Sequence, residues 1–274
     1  MPRVVVASYN LHGGVDGWGR RFDVVDACRR IDADVLMLQE SWSPDHGVSL
    51  AQDVARRLGY RAVELPFARG RMSPPPIHPH DRWGPRLWAH RVHGLRIDRR
   101  RSTSNQQRAR ARARLAPVER GTWSIAVLSR LAVTASHTID LGKLPTDPAR
   151  RGAIVIDIDL DGASAAVRMV GTHLAHLSQG SPRHIVALRR AIHALTPVPC
   201  VLAGDMNLWG PPLMVMFPGW SRAVRGRTWP TWASRPLAQP DHILVRGPAT
   251  VDAGEVLPMA GSDHLPVRAS LVIN

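Results

Sequence analysis

Apolar runs of strand length recur along this chain, and nearly every one begins or ends on a polar residue able to do chemistry. "RVVVASYN" ends on Asn10, and "DVLMLQE" ends on Glu40. "RMVGTH" ends on His173, and "CVLAGDMN" closes with Asp205 and Asn207. "DHILV" opens on Asp241, and "SDHLPV" sets Asp263 and His264 before the last run. Runs this short and this rich in β-branched residues read as buried strands. None approaches the ~20 residues of a membrane helix, and the first is shorter than a secretory leader's apolar region.

Helical spacing fills some of the gaps. Val24, Cys28 and Ile31 share one face in residues 22–31, and Leu50, Val54 and Leu58 share one in residues 48–58, with Gly59 as the stop. Ser181-Pro182 reads as an N-cap with a first-turn proline, ahead of a buried face of Ile185, Leu188, Ile192 and Leu195. Further strands are expected at "YRAVEL", "WSIAVLSR", "AVTASHTIDL", "GAIVIDIDL" and "TVDAGEVL". The pattern predicts one domain of mixed α and β structure over residues 1–274, with many strands and few helices. Residues 66–118 break the rhythm and read as an irregular Arg/Pro-rich insertion.

The formal net charge is +14, carried almost wholly by arginine, since Lys143 is the only lysine. Residues 96–114 hold eight arginines and one aspartate, which is half of that excess. The stretch is either a phosphate-contacting arm or a solvated insertion. Cys28 and Cys200 are too few for a disulfide framework and suit a reduced, cytoplasmic protein.

Strand ends align along a sheet rim, so the polar residues at these ends are expected to converge. Asn10, Glu40, Asp205, Asn207 and Asp263 are hard oxygen donors. Carboxylates brought together raise one another's pKa, and a divalent cation removes that penalty. Mg²⁺ or Mn²⁺ suits such donors, and His173 and His264 keep zinc open. Asp241 is placed to orient His264 as carboxylates orient catalytic histidines. Each residue also has a plainer reading as a cap, a turn or an exposed acid. Those readings must coincide at six strand ends to explain the whole set.

The ordered set "SYNL", "LQE", "VLSR", "RGAIVIDI", "GTHL", "LAGDMN", "TWPTW", "PDHILV" and "SDHLPV" resembles the endonuclease/exonuclease/phosphatase superfamily. That group includes pancreatic-type deoxyribonuclease, exonuclease III-like apurinic endonucleases, inositol polyphosphate 5-phosphatases and neutral sphingomyelinases; the tail is most similar to its bacterial stand-alone members. The resemblance implies a four-layered α/β sandwich, with two mixed β-sheets face to face and helices outside. It implies that Asn10 and Glu40 bind the catalytic metal and that Asp263 completes the site. Asp205 and Asn207 would orient the attacking water and the scissile phosphate. His173 would stabilise the transition state, and His264, oriented by Asp241, would be general base or phosphate ligand.

Arg151, Arg110 and Arg112 are candidate contacts to substrate phosphate. Two departures stand out. No tyrosine lies on a mid-chain loop, because Tyr9 and Tyr60 both adjoin strands, and no acid obviously pairs with His173, Glu64 being the candidate. The activity implied is Mg²⁺-dependent phosphodiester hydrolysis, most readily on DNA or RNA, by a monomer. A phosphoinositide, sphingomyelin or another small phosphoester is the alternative, with anionic lipid as a partner, and a catalytically silent binding module is a third reading.

Overall fold

The apolar runs pair into two six-stranded sheets in a computed structural model that describes residues 1–17, 20–72, 119–160, 166–231 and 235–274. The strands are β1 (Arg3–Asn10), β2 (Val35–Pro44), β3 (Arg61–Met72), β4 (Glu119–Ser129), β5 (Val133–Lys143) and β6 (Arg150–Ile158). They continue with β7 (Val167–His173), β8 (Cys200–Asp205), β9 (Ser221–Arg222), β10 (Asp241–Arg246), β11 (Ala249–Val256) and β12 (Val267–Ile273). One sheet runs β11-β12-β1-β2-β4-β3 and the other β5-β6-β7-β8-β10-β9. Each holds one parallel pair, β1 with β2 and β7 with β8, among antiparallel neighbours, so both are mixed.

Side-chain parity explains the layers. Val4, Val6, Val35, Met37, Ile125 and Val127 face Ile154, Ile156, Met169, Val201, Ala203 and Ile243 across the gap between the sheets. The alternate residues Ala7, Tyr9, Leu36 and Leu38 pack outward against helices α1 (Val24–Ile31) and α2 (Leu50–Leu58). On the second sheet Val155, Val170, Leu202 and Leu244 pack outward against α3 (Ser181–His193) and α4 (Gly210–Met216). The result is the four-layered α/β sandwich that the family resemblance implies. Asp23 caps α1 by accepting from Asp26 N, and Ser49 caps α2 by accepting from Gln52 N. Cys28 and Cys200 are free and buried. Among the described residues no helix is long and apolar enough to cross a membrane.

Three local expectations change. Residues 66–72 belong to β3, where they pair with β4 past a bulge between Pro66 and Ala68, so the irregular stretch begins later than expected. The expected insertion otherwise falls at 73–118, outside the described residues, as do Arg110 and Arg112. Ser181 is the first residue of α3 and not its cap. Gly180, at φ 101°, joins a preceding 3-10 turn (Leu177–Gln179) directly to the helix, a left-handed step that favours glycine. The short α4, wedged into the Pro/Trp-rich loop after β8, carried no periodic signal long enough to read.

Candidate active site

Parity also aims the polar strand ends. Counting by two from Val4 and Val6, Asn10 points between the sheets. His173 follows Met169 in the same way, Asp205 follows Val201 and Ala203, and Asp241 precedes Ile243. Register then sets them side by side: His173 lies opposite Asp205, and Asp241 lies opposite Asp205 on its other flank.

Glu40 breaks this rule, and the backbone shows how. Gln39 takes the inward position and exchanges hydrogen bonds with Ser8, so plain alternation would turn Glu40 outward. A bulge between Leu38 and Ser41, with Glu40 at φ 52°, swings its carboxylate back to the rim. There Asn10 Nδ2 bridges two acids, at 3.4 Å from Glu40 Oε1 and 3.1 Å from Asp205 Oδ2. His173 Nε2 sits 3.8 Å from each of those same oxygens. Asn207, in a left-handed turn at φ 50°, donates its backbone N–H to Asp205 Oδ1 at 2.9 Å and its amide to Leu174 O.

His264 forms the other half. Its Nδ1 donates to Asp241 Oδ2 at 2.8 Å, and its Nε2 faces Asp205 Oδ2 at 3.9 Å. Among the described residues, Asp205, Asp241 and His264 are the group whose candidate ligand atoms all fall within 4.8 Å of one another. The expected trio of Asn10, Glu40 and Asp263 is arranged differently. Asp263 has His12 Nδ1 3.2 Å from Oδ1 and accepts from Trp229 Nε1 at 3.2 Å on Oδ2, so protein groups already engage both oxygens.

The chemistry of the donors fits a hard divalent cation. Glu40 and Asp205 converge across the Asn10 amide, and Asp263 adds a third negative charge nearby. Burial, and then the charges of Asp263 and Asp205, push the Glu40 carboxyl above its ordinary pKa, although His12 and His264 oppose this. The two histidines diverge. Burial and the Arg151 charge lower His173 to about 3, which keeps it neutral. Burial also opposes charge on His264, but Asp241, Asp263 and Asp205 outweigh it and raise its pKa to about 10. One rim therefore holds a neutral and a cationic imidazole on either side of Asp205.

One expected contact is not made. Glu64 does not reach His173, because Val63, Leu65 and Phe67 take the inward positions of β3 and Glu64 points outward. It accepts from Ser49 Oγ at 2.5 Å and Ser124 Oγ at 3.3 Å, which ties it to the start of α2. His173 has Phe67 edge-on at 5.7 Å instead, and its buried Nδ1 has no hydrogen-bond partner among the described residues. Arg151, the described candidate for a phosphate contact, is already engaged by protein groups. Its Nε donates to the fully buried Asp147 at 2.8 Å, its guanidinium lies 5.2 Å over the Phe67 ring, and Nη1 reaches His173 O at 3.5 Å. Arg151→Ala leaves Asp147 buried and unpaired, so it is expected to cost about 3–5 kcal/mol in urea unfolding. Asp147→Asn in the same chain is expected to recover part of that loss.

Several supporting residues escaped the sequence reading. His12 donates its backbone N–H to Asn10 Oδ1 at 3.0 Å and links that residue to Asp263. Thr228 donates to Asp241 Oδ2 at 2.5 Å, and Trp229 lies 6.3 Å from the His264 ring. Tyr9 Oη accepts from Ser262 N at 3.0 Å and so pins the loop that carries Asp263 and His264. The "TWPTW" stretch marked Thr228 and Trp229 as a motif without a role. The turn-forming "HGG" after Asn10 was the available signal for His12.

The comparisons agree with this architecture. The model of the Endonuclease/Exonuclease/phosphatase family matches residues 7–264. An endonuclease/exonuclease/phosphatase from Beutenbergia cavernae superposes with a TM-score of 0.65 at 20% identity, covering 100% of this chain and 72% of that one. The human Nocturnin catalytic domain with bound sulfate gives 0.66 at 16%, covering 100% and 94%. The Bacteroides thetaiotaomicron mannosyl-6-phosphatase Bt3783 gives 0.62 at 16%, covering 98% and 100%. No curated protein shows a significant sequence match to this chain.

Proposed function

Because the chain belongs to the endonuclease/exonuclease/phosphatase family, we propose that it is a divalent-metal-dependent phosphoester hydrolase that cleaves phosphodiester bonds of nucleic acid. The observation that carries this reading is the rim itself, where Asp205 stands between a neutral His173 and a cationic His264, with Glu40 and Asn10 closing the pocket.

Glu40 would hold the cation beside Asp205, with Asp263 supporting them through charge and the Asn10 amide orienting both carboxylates. A bound Mg²⁺ would polarise the phosphoryl oxygen and neutralise charge developing there. The remaining steps belong to the protein. Asp205, fixed by the backbone N–H of Asn207, accepts the proton of the attacking water. His173 donates from Nε2 to a phosphoryl oxygen, since its buried Nδ1 faces no acceptor among the described residues. His264, kept protonated by Asp241, gives the Nε2 proton to the departing oxygen. Water and a phosphodiester become a phosphomonoester and a hydroxyl, and one proton passes from water to Asp205 as another leaves His264.

The formal charge of +14 favours a polyanionic substrate, because the field of the whole chain draws anions toward it. Relatives that share the fold include one named as a mannosyl-6-phosphatase, so a small phosphoester is the competing substrate. A panel of plasmid DNA, RNA, phosphoinositide, sphingomyelin, a sugar phosphate and a generic bis-ester decides between them, each with Mg²⁺ or EDTA. Nicking of plasmid with Mg²⁺ and its loss in EDTA is the expected result. Turnover confined to small phosphoesters sinks the nucleic-acid reading, and turnover of nothing sinks the enzyme.

A further inference from the structure

The loop from Asp205 that positions Asn207 leads directly into α4, and beside α4 lies a cleft of about 350 Å³. Gly210, Pro211, Met214, Trp220, Arg222 and Arg225 line it. Arg222 ends β9, which pairs with β10 three residues beyond Asp241, and Arg225 follows in the next loop. Parity puts Arg222 beside Leu244, on the helix-covered face of the sheet, so the cleft lies on the outer flank of the same rim.

Two features mark it as a built anion site. The first is charge without compensation. Neither Arg222 nor Arg225 makes an ion pair with an acid among the described residues. The groups that act on Arg222 are its own burial and the like charge of Arg225, and both weaken its proton affinity. Two guanidiniums held together with no carboxylate are unfavourable until an anion joins them. The second is an unmet donor. Trp220 is 6% exposed, and its buried indole N–H has no acceptor among the described residues. A buried donor left without a partner is rare and costly.

Gly210 is part of the construction. A Cβ there would lie 1.2 Å from Arg222 Nη1, so only glycine lets the guanidinium rest against the first turn of α4. The strand that carries Asp241 also borders the cleft, through Leu244 beside Arg222. His242, next to Asp241, donates from Nε2 to Leu208 O at 2.9 Å, and burial lowers its pKa to about 4.

We propose that Arg222, Arg225 and the Trp220 indole form a second phosphate site, which grips a phosphate of the substrate other than the one cleaved. The proposal rests on the phosphoester reading of the rim and adds a subsite to it. A neighbouring nucleotide of a strand or the second phosphate of a small polyphosphate supplies the same chemistry, so both are probed.

The test measures binding of an eight-nucleotide single strand and of inorganic pyrophosphate to the full chain in EDTA, which blocks turnover. The chains compared are wild type, R222A/R225A, G210A and the control R29A/R30A, whose arginines are exposed on α1 and pair with Asp26. For R222A/R225A the expected result is about tenfold or more weaker binding and a salt slope smaller by about 1. G210A keeps every charge and is expected to weaken binding by displacing Arg222. Thermal melts check that each variant is folded. Loss of pyrophosphate binding alone keeps the site and overturns the nucleic-acid reading of the rim. Equal losses in the control pair, unchanged binding in R222A/R225A, or no binding of either probe to wild type overturns the site.

Discussion

His264→Ala is expected to lower phosphoester hydrolysis by about 10²–10⁴-fold, the range for a group that transfers a proton in the transition state. The cause is its placement: Nδ1 is held by Asp241 at 2.8 Å and Nε2 is turned to Asp205. Asp241→Asn removes the charge that keeps His264 protonated, so a large part of the same loss is expected from it. The double variant is expected to fall little below His264→Ala alone, because residues that act as a unit are not additive. Steady-state rates on the best substrate of the panel measure this, and wild-type turnover by His264→Ala refutes the assignment.

The same dyad has a signature independent of turnover. In the metal-free protein the pKa of His264 is raised to about 10 from an ordinary 6.5. A raised folded pKa means that the folded state binds the proton more tightly than the unfolded state. The resulting stability is fully present below about pH 6.5 and is lost as pH rises through about 10. Melting of the wild type in EDTA is therefore expected to fall across that window by more than melting of His264→Ala. Parallel profiles for the two chains rule out the Asp241–His264 ion pair.

Glu40→Gln is expected to act with opposite signs in the presence and absence of metal. Without a cation, Glu40 is a buried acid beside Asp205 and Asp263, with its pKa raised by burial and by their charges. The ionised form is penalised above that raised pKa, and a neutral amide of the same shape removes the penalty. The variant is thus expected to melt higher than wild type in EDTA at neutral pH. With Mg²⁺ the order reverses. An ion at 100 times its Kd stabilises the wild type by about 2.7 kcal/mol, roughly 5 °C or more for a domain of this size.

Groups that merely support a metal ligand are worth about 10–100-fold in affinity, so losing Glu40 itself is expected to cost at least ~100-fold. At the same Mg²⁺ concentration the variant then gains only about 0.4 kcal/mol. Hydrolysis is expected to fall with the affinity. Thermal melts with Mg²⁺ and EDTA read both effects. An equal Mg²⁺ shift in the two chains removes Glu40 from the metal site.

Much of this molecule is legible in its sequence because strand parity is a local property. The valines and isoleucines of "RVVVASYN", "RMVGTH", "CVLAGDMN" and "DHILV" fix which face is buried, and counting by two then sends Asn10, His173, Asp205 and Asp241 to the same side. The caps Asp23 and Ser49 and the stop at Gly59 are equally local, since each serves a backbone group within one turn. Parity fails where the chain departs from regular pairing. Glu40 reaches the rim only through a bulge against β4, a strand some eighty residues away, and no feature of "VLMLQE" announces it.

The partners of the site are likewise tertiary facts. Glu64 binds Ser49 and Ser124 because β3 turns it outward. Arg151 is held by Asp147 beside Phe67. Asp263 meets His12 and Trp229 from three separate loops. Residue types and alternation determine what kind of chemistry this chain can carry, because they act within a few residues. Which atoms touch, and therefore which histidine is charged, is decided by long-range packing, because pKa and hydrogen bonding depend on neighbours that only the folded chain brings within a few ångströms.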